Sequence, residues 1–398
     1  MYGRPSVTGN HSGTPTAGRG LVSVDDVRAA ALRLDGVIRK TPLTRADAIG
    51  KVVGRPLLLK PELFQRAGSF KIRGAYNRIS QLPDDVPVVA ASAGNHAQGV
   101  ALAATLTQRQ ATIFMPATAP LPKVRATSDY GAEIRFVDGL VDDCIVTARR
   151  FAEETGAVLV HPFDDPLVIA GQGTVGLELL EEAPEAEVVL VPVGGGGLAS
   201  GIAVALQRRA RVIGIRPASV TATMADGIAV KAPSELTHRH LVELLDDMIT
   251  VTEEEISQAV VMLLERAKMV VEPAGAVGLA ALLGGRIAGS GAAVAVLSGG
   301  NVDPLLLTKL VEHGLSAAGR YLVLRVVLAD RPGALAALTA ELATRGLNVL
   351  SVEHHRFGLS LAVDEVEVLV TLETRDPEHR DEVVASLGDG GYRVELVR

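Results

Sequence analysis

Lys71 stands in the segment Ser69-Phe70-Lys71-Ile72-Arg73-Gly74-Ala75, between apolar and small neighbours. Partial desolvation disfavours an ammonium, lowers its pKa and frees an amine able to form a Schiff base with an aldehyde. A surface lysine whose stem covers apolar area fits the same residues, so this segment decides nothing alone. Three distant segments turn the reading toward chemistry: Ser92-Ala93-Gly94-Asn95-His96-Ala97-Gln98-Gly99, Gly194-Gly195-Gly196-Gly197-Leu198 and Ser298-Gly299-Gly300-Asn301.

The glycine run follows a strand expected over 188–192 and precedes a helix expected over 198–206. Strand, glycine loop and helix start bring several backbone N–H groups and the positive helix end to one point, which suits a phosphate. Only glycine lets the backbone approach an anion at consecutive positions. A flexible loop is the bland alternative, and four glycines directly before a helix favour the anion. The run is not a dinucleotide fingerprint, since Ile213-Gly214-Ile215 is followed by Arg216 where an acidic residue is required. No Gly-Lys-Ser/Thr follows, so it is not a P-loop. In the Ser92 segment, Asn95 offers a donor and an acceptor, and the loop amides can receive a carboxylate. Asn95-His96 serves equally as a turn, and His96 alone is weak evidence for acid–base work. Ser298 ends a strand, where ligands of parallel sheets sit, though an ordinary turn would use it too. Glu272, in Glu272-Pro273-Ala274-Gly275-Ala276, favours a helix dipole.

Short apolar runs must carry these loops. Strands are expected at 88–91, 111–115, 157–160, 188–192, 212–215 and 292–297, alternating with helices such as 97–105, 141–155 and 254–267. Such alternation predicts parallel α/β sheets covered on both faces, and the surplus of strands predicts two lobes with a cleft between them. Order begins at Ser23, a cap for a helix led by Asp25 and Asp26. Residues 1–20, rich in Gly, Ser, Thr and Pro, are expected to be a disordered tail without a secretory signal. Residues 313–320 are expected to be a linker. Beyond it, a strand at 321–329, a helix at 332–345, strands at 347–356 and 365–372 joined through Gly358-Leu359-Ser360, a helix at 378–387 and a strand at 392–397 spell βαββαβ, a ferredoxin-like α+β module.

Composition removes other classes. Hydrophobic residues at 48% and charged residues at 21% describe a soluble globular protein. A net charge of -7, no basic cluster and no Trp speak against nucleic-acid partners. No apolar run approaches a membrane span, and Cys144 as the single cysteine excludes a disulfide framework or multi-cysteine zinc site. A cytoplasmic location is expected. The pair His354-His355 lies on a strand whose alternation sends the two rings to opposite faces, so no metal is expected there.

In order and spacing, the four segments resemble pyridoxal-phosphate enzymes of the tryptophan-synthase-β type, specifically the threonine/serine dehydratases. Thr41-Pro42-Leu43, Ile169-Ala170-Gly171-Gln172-Gly173-Thr174 and Glu272-Pro273-Ala274-Gly275-Ala276 extend the likeness, which covers roughly residues 22 to 312. The resemblance implies a two-lobed α/β catalytic domain over 21–312, with a smaller lobe near 87–163, and pyridoxal 5'-phosphate as cofactor. It implies that Lys71 is the Schiff-base lysine and the base for the substrate α-proton, next to Phe70. Asn95 would bond the cofactor's phenolic oxygen, Gly194, Gly195, Gly196, Gly197 and Leu198 its phosphate, and Ser298 its ring nitrogen. Ser92, Ala93, Gly94 and His96 would seat the amino-acid substrate. A serine partner does not enforce a protonated ring, which suits β-elimination. Racemases of this family resemble Ser-Gly-Asn-His at the loop; Ala93 stands here instead, which favours dehydration. Arg216 replaces their metal-binding glutamate, so no divalent cation is expected, and the segment 217–226 is shorter than in familiar dehydratases.

Asp330-Arg331-Pro332-Gly333-Ala334-Leu335 followed by Gly346-Leu347-Asn348-Val349 resembles an ACT regulatory domain, expected over 321–398. The resemblance implies an effector, isoleucine or valine, near Gly333 and Asn348, in a homo-oligomer, a dimer or tetramer. The expected activity is deamination of threonine to 2-oxobutanoate and ammonia for isoleucine formation. A dehydratase acting on serine or another β-hydroxy amino acid, and a non-catalytic amino-acid sensor, are the rivals.

Overall fold

The computed structural model describes residues 20–356 and 361–397, so the expected tail over 1–19 and the loop Gly358-Leu359-Ser360 lie outside the described residues. The first helix, Val24–Leu34, starts at Ser23, whose hydroxyl accepts from the Asp26 N–H while Asp26 accepts from the Ser23 N–H. This reciprocal box satisfies two otherwise orphaned donors.

Two sheets form separate lobes. The larger has six strands in the order Thr44–Arg45, Leu57–Pro61, Ala293–Leu297, Val188–Pro192, Arg211–Pro217 and Asp247–Val251. Its first pair is antiparallel and the others parallel. The smaller has four parallel strands, ordered Glu133–Val137, Ala111–Pro116, Val88–Ala91 and Val158–Leu159, all inside the interval expected for the small lobe. Four strands escape a hydrophobicity reading. Glu133–Val137 and Asp247–Val251 are sheet edges with charged, exposed positions, Thr44–Arg45 is two residues long, and Leu57–Pro61 contains Lys60.

Lys60 is buried because its charge is matched. Its Nζ donates to Glu178 and Glu182 at 2.8 and 2.9 Å and to the Thr41 carbonyl at 2.7 Å. Alongside, Arg73 meets Glu62 through two bonds of 2.7 Å and Glu178 at 2.6 Å. Buried ions persist only when paired and hydrogen-bonded in this way. The network ties the helix Lys71–Ile79 to the strand Leu57–Pro61 and to the helix Pro166–Glu182. Those two helices cross closely: a Cβ on Gly171 would lie 2.5 Å from the Arg73 carbonyl oxygen, and one on Gly74 2.6 Å from Gln172. The other face of Lys71–Ile79 places Ile72, Ala75 and Ile79 in the small lobe's core with Val88, Ala90 and Ile113.

The expected linker over 313–320 is a correction. Residues through 317 belong to the helix Pro304–Ala317, whose Leu310 and Gly314 are buried; Leu310 enters the large lobe's core, and Gly314 faces Val261 and Ser257. Polar residues on that helix's outer face gave it the look of a linker. After it, the antiparallel sheet Asn348–His355, Glu365–Glu373, Tyr321–Ala329, Arg393–Leu396 carries the helices Ala334–Thr344 and Pro377–Asp389 over a core of Leu322, Leu324, Val326, Leu338, Val368 and Leu387. The first of these helices starts two residues later than Pro332, since Gly333 adopts φ 91° at its cap. Among the described residues no helix is long and apolar enough to cross a membrane.

Candidate active site

Lys71 opens its helix at the foot of the cleft. Ser69 pairs with Gly299 in an antiparallel bridge, and the Phe70 N–H donates to the Ser298 carbonyl at 3.1 Å, so the lysine segment is laid along the end of the strand Ala293–Leu297. Lys71 Nζ donates to the Pro162 carbonyl at 3.2 Å and lies 5.1 Å from the centre of the Phe70 ring. Burial pushes its amine down to about 8, against the opposing pull of Glu272. Apolar neighbours therefore do what the sequence implied.

The strand Val88–Ala91 runs through Ser92, Ala93 and Gly94 into the helix Asn95–Leu106, and Ser92 Oγ accepts the Gly94 N–H at 3.2 Å. No side chain caps that helix, so its first amides face the cleft unclaimed by a cap, as an incoming carboxylate requires. Asn95 Nδ2 donates to both Glu272 oxygens, at 2.8 and 3.0 Å, and Asn95 Oδ1 accepts from Asn301 Nδ2 at 2.8 Å. His96 turns away instead: its Nε2 sits 2.7 Å from the Val160 carbonyl. Burial, with the nearby Lys71 charge, drives it down to about 3, so only its backbone remains for a ligand.

The glycine loop joins the strand Val188–Pro192 to the buried helix Gly197–Leu206, which also lacks a side-chain cap. A Cβ on Gly195 would lie 2.1 Å from the Phe163 ring, and Gly196 adopts φ 92°. Leu198 buries its side chain in the core, leaving its N–H to serve a ligand. Ser298, at the end of its strand, is buried, and the Ser69 and Ser200 hydroxyls are buried without a partner among the described residues. A desolvated amine, two uncapped helix starts and a glycine cradle fit a phosphorylated aldehyde.

Four participants were not assigned from sequence. Pro162 and Phe163 carried no signal. Glu272 read as a dipole partner and Asn301 was given no role, because nothing in the sequence sets them opposite Asn95. Arg216 donates to the Val230 carbonyl at 2.9 Å. The short segment after it ends at Asp226, which takes Lys123 of the small lobe at 2.6 Å and so bridges the cleft. In the C-terminal module, the expected effector residues do not meet within one chain. Asn348 lies opposite Glu373 and Tyr321, whereas Gly333 follows Ala329 at the far end of the same strand.

Two α/β lobes around a half-buried lysine and a glycine anion loop define an enzyme that works through a phosphorylated aldehyde cofactor. The family model described as pyridoxal-phosphate dependent enzyme matches residues 34–299, and that of the ACT domain matches residues 322–389. The chain belongs to the pyridoxal-phosphate-dependent enzyme family and carries a C-terminal ACT domain. It is 46% identical to the L-threonine ammonia-lyase of Geobacter sulfurreducens, over 94% of this chain and 98% of that one. The L-threonine ammonia-lyase of Thermotoga maritima is 43% identical, over 95% and 100%. Among solved structures, maize serine racemase superposes with a TM-score of 0.70 at 37% identity, over 73% of this chain and 97% of that one. The processed form of threonine deaminase isoform 2 from Solanum lycopersicum gives 0.68 at 34%, over 75% and 90%.

Proposed function

We propose that this chain is a threonine ammonia-lyase, eliminating water from L-threonine and releasing ammonia and 2-oxobutanoate. A cleft in which Lys71 is the one amine base among the described residues carries the reading; Glu272, also there, is taken up by Asn95. Lys71 is desolvated and poised, while His96 is held on Val160 and His161 accepts the Phe163 and Asp164 N–H groups at 3.3 and 2.8 Å. Burial pushes His161 down to about 4. Ala93 offers no second base. One-sided proton removal favours elimination over racemisation, and the names of the two near-full-length relatives agree with it.

When bound, pyridoxal phosphate supplies a ring that draws off the electrons released at the substrate α-carbon. Lys71 Nζ takes the α-proton. The amides of Ser92 to His96 seat the substrate carboxylate, and the backbone from Gly194 to Leu198 holds the phosphate. Asn95 would serve the ring oxygen, and the neutral Ser298 hydroxyl would serve the ring nitrogen. In this reading the ACT domain would take isoleucine or valine in a dimer or tetramer, with the reaction serving isoleucine formation.

Keto-acid formation from L-threonine and L-serine, with and without isoleucine and valine, tests this. Threonine is expected to turn over faster. Cofactor binding without any keto acid would favour a sensor, and serine turning over faster would move the assignment to a serine dehydratase.

A further inference from the structure

The Asn95 amide lies in a one-way chain of donors and acceptors. The Ala67 carbonyl can only accept, so the Asn301 atom 2.8 Å from it must be Nδ2. That same nitrogen lies 2.8 Å from Asn95, whose facing atom is therefore the acceptor Oδ1. Asn95 must then turn Nδ2 toward Glu272, where a carboxylate accepts it through both oxygens. Networks of this kind are what fix an amide that could otherwise flip. Nδ2 carries two hydrogens, so one can serve Glu272 while the other serves a ligand. Gly68 leaves the room that Asn301 needs, since a Cβ there would lie 2.3 Å from Asn301 Oδ1.

We propose that Glu272, together with Asn301, is a positioning residue that fixes Asn95 as a hydrogen-bond donor toward the cofactor ring oxygen. The inference rests on the reading of Asn95 as the residue facing that oxygen. Asn95 starts a small-lobe helix, whereas Glu272 and Asn301 belong to the large lobe, so the amide is aligned when the lobes are together. Burial raises the Glu272 carboxyl to about 7; Asn95 and the Lys123 and Lys71 charges oppose the rise, and Asp226 adds to it. Protonation near neutrality would exchange a charged acceptor for a neutral one.

The test compares the holoenzyme with its Asn95→Ala, Glu272→Ala and doubly substituted forms, reading the cofactor's visible absorbance and its dissociation constant. Glu272→Ala is expected to move the band in the direction Asn95→Ala does and to weaken cofactor binding roughly 10-fold. The double variant should match Asn95→Ala alone, as for residues acting through one contact. Additive effects, or an unmoved band in Glu272→Ala, overturn the inference. An unmoved band in Asn95→Ala overturns the reading of Asn95 itself, and the inference with it. If Glu272→Ala does not fold, Glu272→Gln decides. Its band should be constant between about pH 6 and 8, where the wild-type band titrates, and a retained titration refutes the role.

Discussion

In the two-lobed domain, Lys71, Asn95, the Gly194–Gly197 loop and Ser298 come from four distant segments and meet at one cleft. In the C-terminal module, Gly333 and Asn348 are near in sequence and finish at opposite ends of a sheet. Strand direction explains both outcomes. Parallel strands all end on the same side, so the loop after each one opens onto a common crevice. In the module Tyr321–Ala329 and Asn348–His355 also run parallel, each antiparallel to Glu365–Glu373 between them, but Gly333 follows the C-terminal end of one and Asn348 opens the N-terminal end of the other. Gly333 follows the strand Tyr321–Ala329, and Asn348 begins the next strand after a helix has carried the chain back. Nine extended residues separate the ends by roughly 27 Å. A site using both residues needs two chains, whereas the cleft needs one.

The largest effect expected from this contrast is at Lys71. Lys71→Ala should lower keto-acid formation by about 1,000-fold or more, since it removes the proposed Schiff-base amine, and should leave effector binding by the module intact. Calorimetry and the product assay read the two regions separately. Loss of both would mean that the module depends on the cleft. Next comes the buried ion network under the lysine helix. Glu62→Gln leaves the fully buried Arg73 short of a partner and should cost about 3–5 kcal/mol in denaturant unfolding. Glu395→Ala, which removes the exposed partner of Arg325 in the module, should cost under about 1 kcal/mol. Equal costs would erase the difference between the two regions.

The pH dependence of stability is a third probe, confined to the cleft. Glu272 is raised from 4.5 to about 7, so the folded state keeps a proton that the unfolded chain has released. Its contribution is fully present below pH 4.5 and is lost as pH rises through about 7. His96, lowered from 6.5 to about 3, acts in the opposite sense over much of the same range. The informative quantity is therefore wild type minus Glu272→Gln, measured from pH 4 to 8: it should fall with rising pH. A flat difference would mean that Glu272 has the same pKa in the folded and unfolded chain.

Legibility from sequence follows the same division. Lys71, the glycine loop and Ser298 drew attention through local patterns, namely apolar neighbours, a strand–glycine–helix junction and a strand end, but the expected roles came with the family resemblance. Glu272 could not be placed in this way, since its significance lies in an amide from the other lobe. Lys60 hid a strand because its charge is cancelled by Glu178 and Glu182 from a helix far along the chain. The module's βαββαβ order was plain from alternating apolar positions. The separation of Gly333 from Asn348 was not, because the motif gives types and spacing but no direction of travel.

The smallest expected effect on turnover is the sharpest test of the comparison. Gly333 holds φ 91°, which a β-branched residue adopts only with strain, and Asn348 donates to Glu373 at 3.1 Å beside a cavity of about 640 Å³ that Arg345, Arg375 and His379 also line. Gly333→Val and Asn348→Ala should each remove isoleucine or valine binding while changing basal turnover less than about twofold, as expected for a module outside the cleft. A purified mixed dimer carrying one substitution per chain retains one Gly333 facing one Asn348. It should bind effector at half the wild-type stoichiometry by calorimetry. No recovery would mean that each end of the sheet acts within its own chain, and a parallel experiment pairing Lys71→Ala with Ser298→Ala chains should recover no turnover, because the cleft does not share its residues.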